Sequence, residues 1–226
     1  MRHAEIDGCR VILDVRTESY RVLDPVGSAM WSILTGESDE GASLKSLAAT
    51  YETDLVTLRG DLEAFAKRCI GEQLLVPKAA LPEPVAAETS PRRRRPGLVG
   101  ALTCLIATQR ALSRDGFGKT YERYGRISAT SSGNQLTEAV AAFAFAENFF
   151  VARRAPDDCL PRSLALYRFL RECGLPVRHV IGVSRFPFLA HAWVEHAGAA
   201  LLDDRAGGFT PLARLGAAPD PADHGL

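Results

Sequence analysis

Asp157-Asp158-Cys159-Leu160-Pro161-Arg162-Ser163, then Ala190-His191-Ala192-Trp193-Val194-Glu195, then Leu201-Leu202-Asp203-Asp204: these three runs decide how the second half of the chain folds. The first reads as the start of a helix. Asp157 or Asp158 can cap it, and Pro161 suits a first turn, where a missing N–H is no loss. Leu160, Leu164 and Tyr167 recur at helical spacing, and Gly174 stands where a left-handed C-terminal residue is wanted. Ala190 to Glu195 alternates as a strand does, putting His191, Trp193 and Glu195 on one face. A helix followed by strands is an α+β order.

A thiol, an imidazole and a carboxylate in that order are the parts of a nucleophile, its base and the acid that orients the base. Cys159 at a helix start would feel the positive end of the macrodipole, which favours thiolate, while the flanking acids oppose it. Its backbone N–H is a candidate oxyanion donor. His196-Ala197-Gly198 reads as a three-residue hairpin loop, so that 195 faces 199, 193 faces 201 and 191 faces 203. Asp203 then lies across from His191 with Cβ atoms about 5 Å apart. A two-residue loop at Ala197-Gly198 would bring Asp204 there instead. Arg162, one turn from Cys159, is a candidate to hold a substrate or loop carbonyl, or else forms a surface salt bridge. Trp193 reads as packing beside the site.

Two plainer readings compete: a structural cysteine, and a zinc site. Zinc sites show close-spaced ligand pairs, which this chain lacks, so neither a metal nor any other cofactor is expected. Cys9, Cys69, Cys104 and Cys173 lie in apolar settings and read as packing. His3, His179, His196 and His224 show no partner pattern. An odd set of five cysteines without a Cys-x-x-Cys pair suggests no disulfide framework.

The 226 residues have zero net charge, unevenly spread. Residues 1–77 hold eight Lys/Arg against thirteen Asp/Glu, and residues 78–226 hold nineteen against fourteen. That asymmetry argues for two units. No apolar run is long enough to span a membrane and the first ten residues lack a signal-peptide core, so a cytoplasmic protein with no membrane partner is expected. Between the units, residues 78–97 carry Pro82, Pro84, Pro91, Pro96 and the basic run Arg92 to Arg95, the composition of a linker.

The first unit, 1–77, reads as a small winged-helix outline. Cys9 to Asp14 and Ser19 to Leu23 suggest a hairpin. Asp24-Pro25 caps and opens a helix lined by Val26, Met30, Ile33 and Leu34. Ser43 is the expected cap of a second helix, with Leu44, Leu47, Ala48 and Tyr51 inward. Asp54 caps a third, with Leu55, Leu58, Leu62, Phe65 and Cys69 on one face. A short strand, Leu74 to Val76, follows. A winged helix invites a DNA-binding reading, but an excess of acids argues against phosphate contacts, so no nucleic-acid partner is expected. In the second unit, 98–226, Leu98 to Leu112 and Leu136 to Val151 are helix candidates, the latter apolar nearly all round and expected to be buried.

Cys159-Leu160-Pro161-Arg162-Ser163-Leu164-Ala165-Leu166, followed by His191-Ala192-Trp193-Val194-Glu195 and Asp203, resembles the leader peptidase of lasso peptide biosynthesis. That family is transglutaminase-like and related in fold to papain-type cysteine proteases. The resemblance covers roughly residues 98–215 and puts the family's Cys, His and Asp on Cys159, His191 and Asp203. Val11-Ile12-Leu13-Asp14, Tyr20 to Gly27 and Trp31 look like the peptide-recognition domain typified by the PQQ-synthesis D protein. Such domains pair a leader peptide with the last hairpin strand, here Ser19, Tyr20, Arg21, Val22 and Leu23, with Leu58, Arg59 and Leu62 nearby on the third helix.

The resemblance implies a papain/transglutaminase-like α+β peptidase fused to a leader-recognition domain. Its expected substrate is a ribosomally made lasso precursor with a penultimate threonine in the leader. Its expected partner is an asparagine-synthetase-like macrolactam synthetase. The alternatives are a transglutaminase-type amidase or acyltransferase, and a peptide-binding adaptor without catalysis.

Overall fold

A computed structural model describes residues 2–75, 95–129, 135–150 and 159–216. The proposed caps Asp157 and Asp158, Val76 and Val151, His224 and most of the proline-rich segment fall outside these. The chain divides into two compact units, the first built on the elements up to the third helix and the second on those after it.

In the first unit, β1 (Arg2–Ile6), β2 (Cys9–Asp14) and β3 (Ser19–Leu23) form an antiparallel sheet in the order β1-β2-β3. The expected hairpin is β2–β3; the sequence reading missed β1. Its signal was present. Asp7 and Gly8 both take positive φ, 49° and 73°, which is the two-residue turn that Asp-Gly favours because its twist matches that of the flanking strands.

Three helices follow: α1 (Pro25–Leu34), α2 (Glu40–Tyr51) and α3 (Leu55–Gly71). Asp24 caps α1 by accepting from Gly27 N at 2.7 Å, and Asp54 caps α3 by accepting from Val56 N and Thr57 N, both at 2.9 Å. Ser43 does not cap α2. Asp39 does, accepting from Ala42 N at 2.8 Å, so the helix starts a turn earlier and Ser43 lies inside it. Tyr51 and Leu55, expected inward, are exposed at the mouths of their helices. Leu74 and Leu75 form no strand: both N–H groups turn back to the Cys69 carbonyl (2.8 and 3.2 Å), closing the end of α3 and folding Leu74 into the core. That core gathers Ile12, Met30, Trp31, Leu44, Leu47, Leu58, Leu62 and Phe65, each burial stabilising by about 1.5–3 kcal/mol. Buried Arg10 ties β2 to α1, donating to Glu37 at 2.6 Å and Ser32 at 3.0 Å.

The second unit opens with α4 (Leu98–Gly125), α5 (Leu136–Phe150) and α6 (Cys159–Glu172). The helix expected to stop at Leu112 runs on, broken at Gly116, whose φ of 76° only glycine adopts freely. The sheet that follows comprises β4 (Arg178–Ser184), β5 (Leu189–His196), β6 (Ala199–Leu201) and β7 (Thr210–Leu215), antiparallel in the order β6-β5-β4-β7. A 3₁₀ turn at Ala206–Gly208 precedes β7. Helix α6 is the centre of this unit, packed on α4 and α5 on one side and on β4 and β5 on the other. Its end is the expected glycine closure: Gly174 has φ 87°, and Leu175 N reaches back to the Leu170 carbonyl at 3.0 Å. The expectation for α5 needs correction. Ala139, Phe143, Ala146 and Glu147 are buried, but Phe145 and Phe149 face solvent, so one face is covered, not all. Among the described residues, no helix is long and apolar enough to cross a membrane.

One buried histidine has consequences for stability. His179 on β4 is fully enclosed, its Nε2 2.8 Å from Ser163 Oγ and its ring edge-on to Tyr121 and Tyr167. Burial pushes it down to about 3 from an ordinary value of 6.5. Between those values the unfolded chain binds the proton that the folded chain refuses. Stability from this residue is therefore intact above pH 6.5 and falls by about 1.4 kcal/mol per pH unit below it. Urea unfolding from pH 7 to 4.5 should show a shallower loss in His179→Asn than in the wild type; equal slopes would remove His179 as the cause.

Candidate active site

Cys159 is the first described residue of α6, and its thiol is half-buried, while the other four cysteines are buried; all five are free. The helix lies against β5, the strand that carries His191. His191 is buried, and its Nε2 is 2.8 Å from Asp203 Oδ2. Both side chains are about 4% exposed. Asp203 Oδ1 accepts from Arg205 N and Ala206 N at 3.0 and 3.1 Å. A carboxylate only accepts, so the shared proton sits on His191 Nε2, and Nδ1 is the ring nitrogen that faces away from Asp203.

Asp203 meets His191 by a route other than the expected one. The β5–β6 turn has two residues, Ala197 and Gly198, with φ 49° and 83°, and the register is Val194↔Leu201 and Glu195↔Ala200. Extended, that ladder would set Asp204 opposite His191, as the two-residue alternative required. It stops at Leu201. Leu202 takes a left-handed φ of 53°, and this one reversal swings Asp203 back to the imidazole.

Two aromatic rings pack against the imidazole. Trp193 stacks at 6.0 Å and 21°, and Phe209 lies 5.0 Å away at 36°. Trp193 is itself anchored by its Nε1–H, which donates to Glu195 Oε1 at 2.8 Å, so the shared face of His191, Trp193 and Glu195 is as the alternation implied. Gly182 stands directly across from His191 on β4. A Cβ there would be 2.6 Å from Trp193 Cη2 and 3.0 Å from the Thr210 carbonyl. The glycine is what lets the indole lie over the strand.

Arg162 holds a loop carbonyl, one of the contacts weighed for it, and also forms an ion pair, though not the surface one expected. Its Nε and Nη2 fork onto Glu147 of α5, and Nη2 also donates to the Leu202 carbonyl at 2.9 Å. The ion pair is not at the surface, since Glu147 is 5% exposed. Glu147, Phe209, Gly182 and Leu202 were missed from the sequence. Only Glu147 carried a signal, a charge set in the apolar run Phe143-Ala144-Phe145-Ala146, which demands a partner if buried. Among the described residues no cluster of His, Cys, Asp or Glu could hold a metal ion.

In the first unit β3 is a sheet edge with Arg21 and Val22 exposed. A groove of about 500 Å³ runs between it and α3, lined by Arg21, Val22 and Leu23 on one side and Asp61, Ala64 and Arg68 on the other. Arg21 and Glu72, both in the lining, are paired at 2.8 Å. Leu58 and Leu62 are not on this groove: they are buried in the core, and Arg59 does not line it either. The resemblance placed them beside β3, whereas the groove takes Phe65 and Cys69 from the core-facing stripe of α3 together with Asp61, Ala64 and Arg68.

The family model of the transglutaminase-like superfamily matches residues 98–214, more than half of the chain. That of coenzyme PQQ synthesis protein D matches residues 9–75. No curated protein matches. Among solved structures the chain is similar to one described as TbiB1 in complex with the TbiA(beta) leader peptide. Identity is 33%, over 32% of this chain and 85% of that one, with a TM-score of 0.29.

Filling the space at Gly182 should disturb the site from beneath. Gly182→Ala is expected to displace the Trp193 indole and to destabilise by about 1–3 kcal/mol. A shifted Trp193 indole N–H resonance with a lowered urea midpoint would show it; an unmoved resonance would mean the strand yields instead.

Proposed function

Because the chain belongs to the transglutaminase-like superfamily and carries a PqqD-like domain ahead of it, the architecture of the lasso peptide B proteins, we propose that it is a cysteine peptidase that removes the leader from a ribosomally made precursor peptide. The observation that carries this reading is the buried His191–Asp203 hydrogen bond, on the strand packed against the helix that begins at Cys159.

Each residue then has one task. His191 Nδ1 takes the proton of the Cys159 thiol, and the thiolate attacks the scissile carbonyl carbon. The tetrahedral oxyanion forms at the start of α6, where the Cys159 N–H and the helix dipole favour negative charge. The imidazolium gives its proton to the departing amine, leaving the leader as a thioester on Cys159. Water, deprotonated by the same Nδ1, releases it. Asp203 keeps the ring proton on Nε2 throughout, so that Nδ1 is always the working atom. Trp193 and Phe209 hold the ring plane.

The first unit supplies the selection. The leader adds as a strand to β3, through the backbone of Ser19 to Leu23, and sets side chains into the groove against Asp61, Ala64 and Arg68. Holding the leader on the same chain as the thiol raises the local concentration of the scissile bond to about the millimolar range. The freed amine of the core is the group that a macrolactam synthetase of the asparagine-synthetase type would close, and such an enzyme is the expected partner.

Mass spectrometry of a leader-bearing precursor incubated with the full chain tests the chemistry. Wild type should divide the peptide at one bond. Cys159→Ala should leave it whole, and Asp203→Asn should slow the cut by about a thousandfold or more. A precursor that stays in one piece but gains mass would indicate deamidation, and cleavage by Cys159→Ala would remove the thiol from the mechanism.

Capture is tested separately by anisotropy of a labelled leader. Val22 is exposed on the groove, so Val22→Asp should raise the leader Kd about tenfold with an unchanged melting temperature. An unaltered Kd would take β3 out of the binding site.

A further inference from the structure

Glu147, on α5, is a buried acid, and Arg162 pairs with it, offsetting the cost of burying its charge. The arrangement has a third member. The guanidinium Nη2 that reaches Glu147 Oε2 at 3.2 Å also reaches the Leu202 carbonyl at 2.9 Å. Leu202 holds a positive φ, unusual for a bulky residue, and the next side chain is Asp203. Downstream of Asp203, its Oδ1 is held by the N–H groups of Arg205 and Ala206. The carboxylate is thus fixed on its C-terminal side by its own loop and on its N-terminal side by a residue of α6.

We propose that Glu147 and Arg162 are positioning residues for Asp203: the Glu147 carboxylate orients the Arg162 guanidinium, which pins the Leu202 carbonyl and so keeps the reversed backbone that presents Asp203 to His191. This rests on the peptidase reading above. Arg162 sits three residues after Cys159 on the same helix, so the clamp references the acid to the element that carries the thiol. The guanidinium meets Glu147 with two nitrogens, Nε and Nη2, and this fork aims Nη2 at the Leu202 carbonyl. A lysine at 162 keeps the charge opposite Glu147 but, with one nitrogen on a flexible stem, has no fork to fix that aim.

The test uses the full chain with three measurements on Arg162→Lys, Glu147→Gln and their double variant: kcat and KM on the leader-bearing precursor, melting temperature, and the low-field ring N–H resonance of His191, with Asp203→Ala as the control that abolishes it. Each single variant should lower kcat about tenfold to a hundredfold with KM little changed. Each should also broaden the His191 resonance. The double variant should be no worse than the worse single, because the two residues act through one contact. A lowered melting temperature with wild-type kcat and a sharp resonance would overturn the proposal, leaving the pair a structural ion bridge. Additive losses in kcat would overturn the common route. If one variant fails to fold, the other decides by the same criteria. If wild type itself leaves the precursor uncut, the peptidase reading fails and the resonance still judges the clamp: sharp in both single variants, it is wrong.

Discussion

A carboxyl group with 4% of its side chain exposed needs hydrogen-bond partners for both oxygens, and the second unit is organised around meeting that demand at Asp203. One oxygen takes the imidazole of His191 and the other takes two backbone N–H groups. Those three hydrogen bonds fix the loop after β6, the ring nitrogen that carries the shared proton and the point at which the β5–β6 ladder ends. The aromatic residues around the ring, the glycine beneath Trp193 and the arginine on the preceding carbonyl all hold this one pair in place.

The sequence made the outline legible because local signals are strong where backbone groups need partners. Asp24 and Asp54 cap their helices as their positions demand, and Gly174 closes α6 as a left-handed glycine should. Periodicity located the inward faces of α1 and α3. It does not say which residues of α3 face β3: the resemblance put Leu58, Arg59 and Leu62 there, whereas Asp61, Ala64, Phe65 and Arg68 line the groove. Spacing alone also cannot distinguish Ser43 from Asp39 as a cap, since both precede apolar helical positions.

The pairing of Asp203 with His191 is the instructive case. The residue was found, the register was not. A loop of three residues and a loop of two followed by a left-handed Leu202 deliver the same side chain to the same imidazole, and strand alternation has no term for a reversal beyond the last ladder pair. What holds that reversal is Arg162 with Glu147, a tertiary contact between segments forty residues apart, invisible to any local rule.

Cys159 and Arg162 belong to one rigid turn of α6, and this makes the helix a shared datum for both ends of the proposed catalytic relay. Sliding of α6 therefore carries the thiol and the anchor of the acid loop by the same amount, and both move against His191, the member of the relay that stands on β5. The seat of α6 on β5 thus sets the spacing on either side of the imidazole at once.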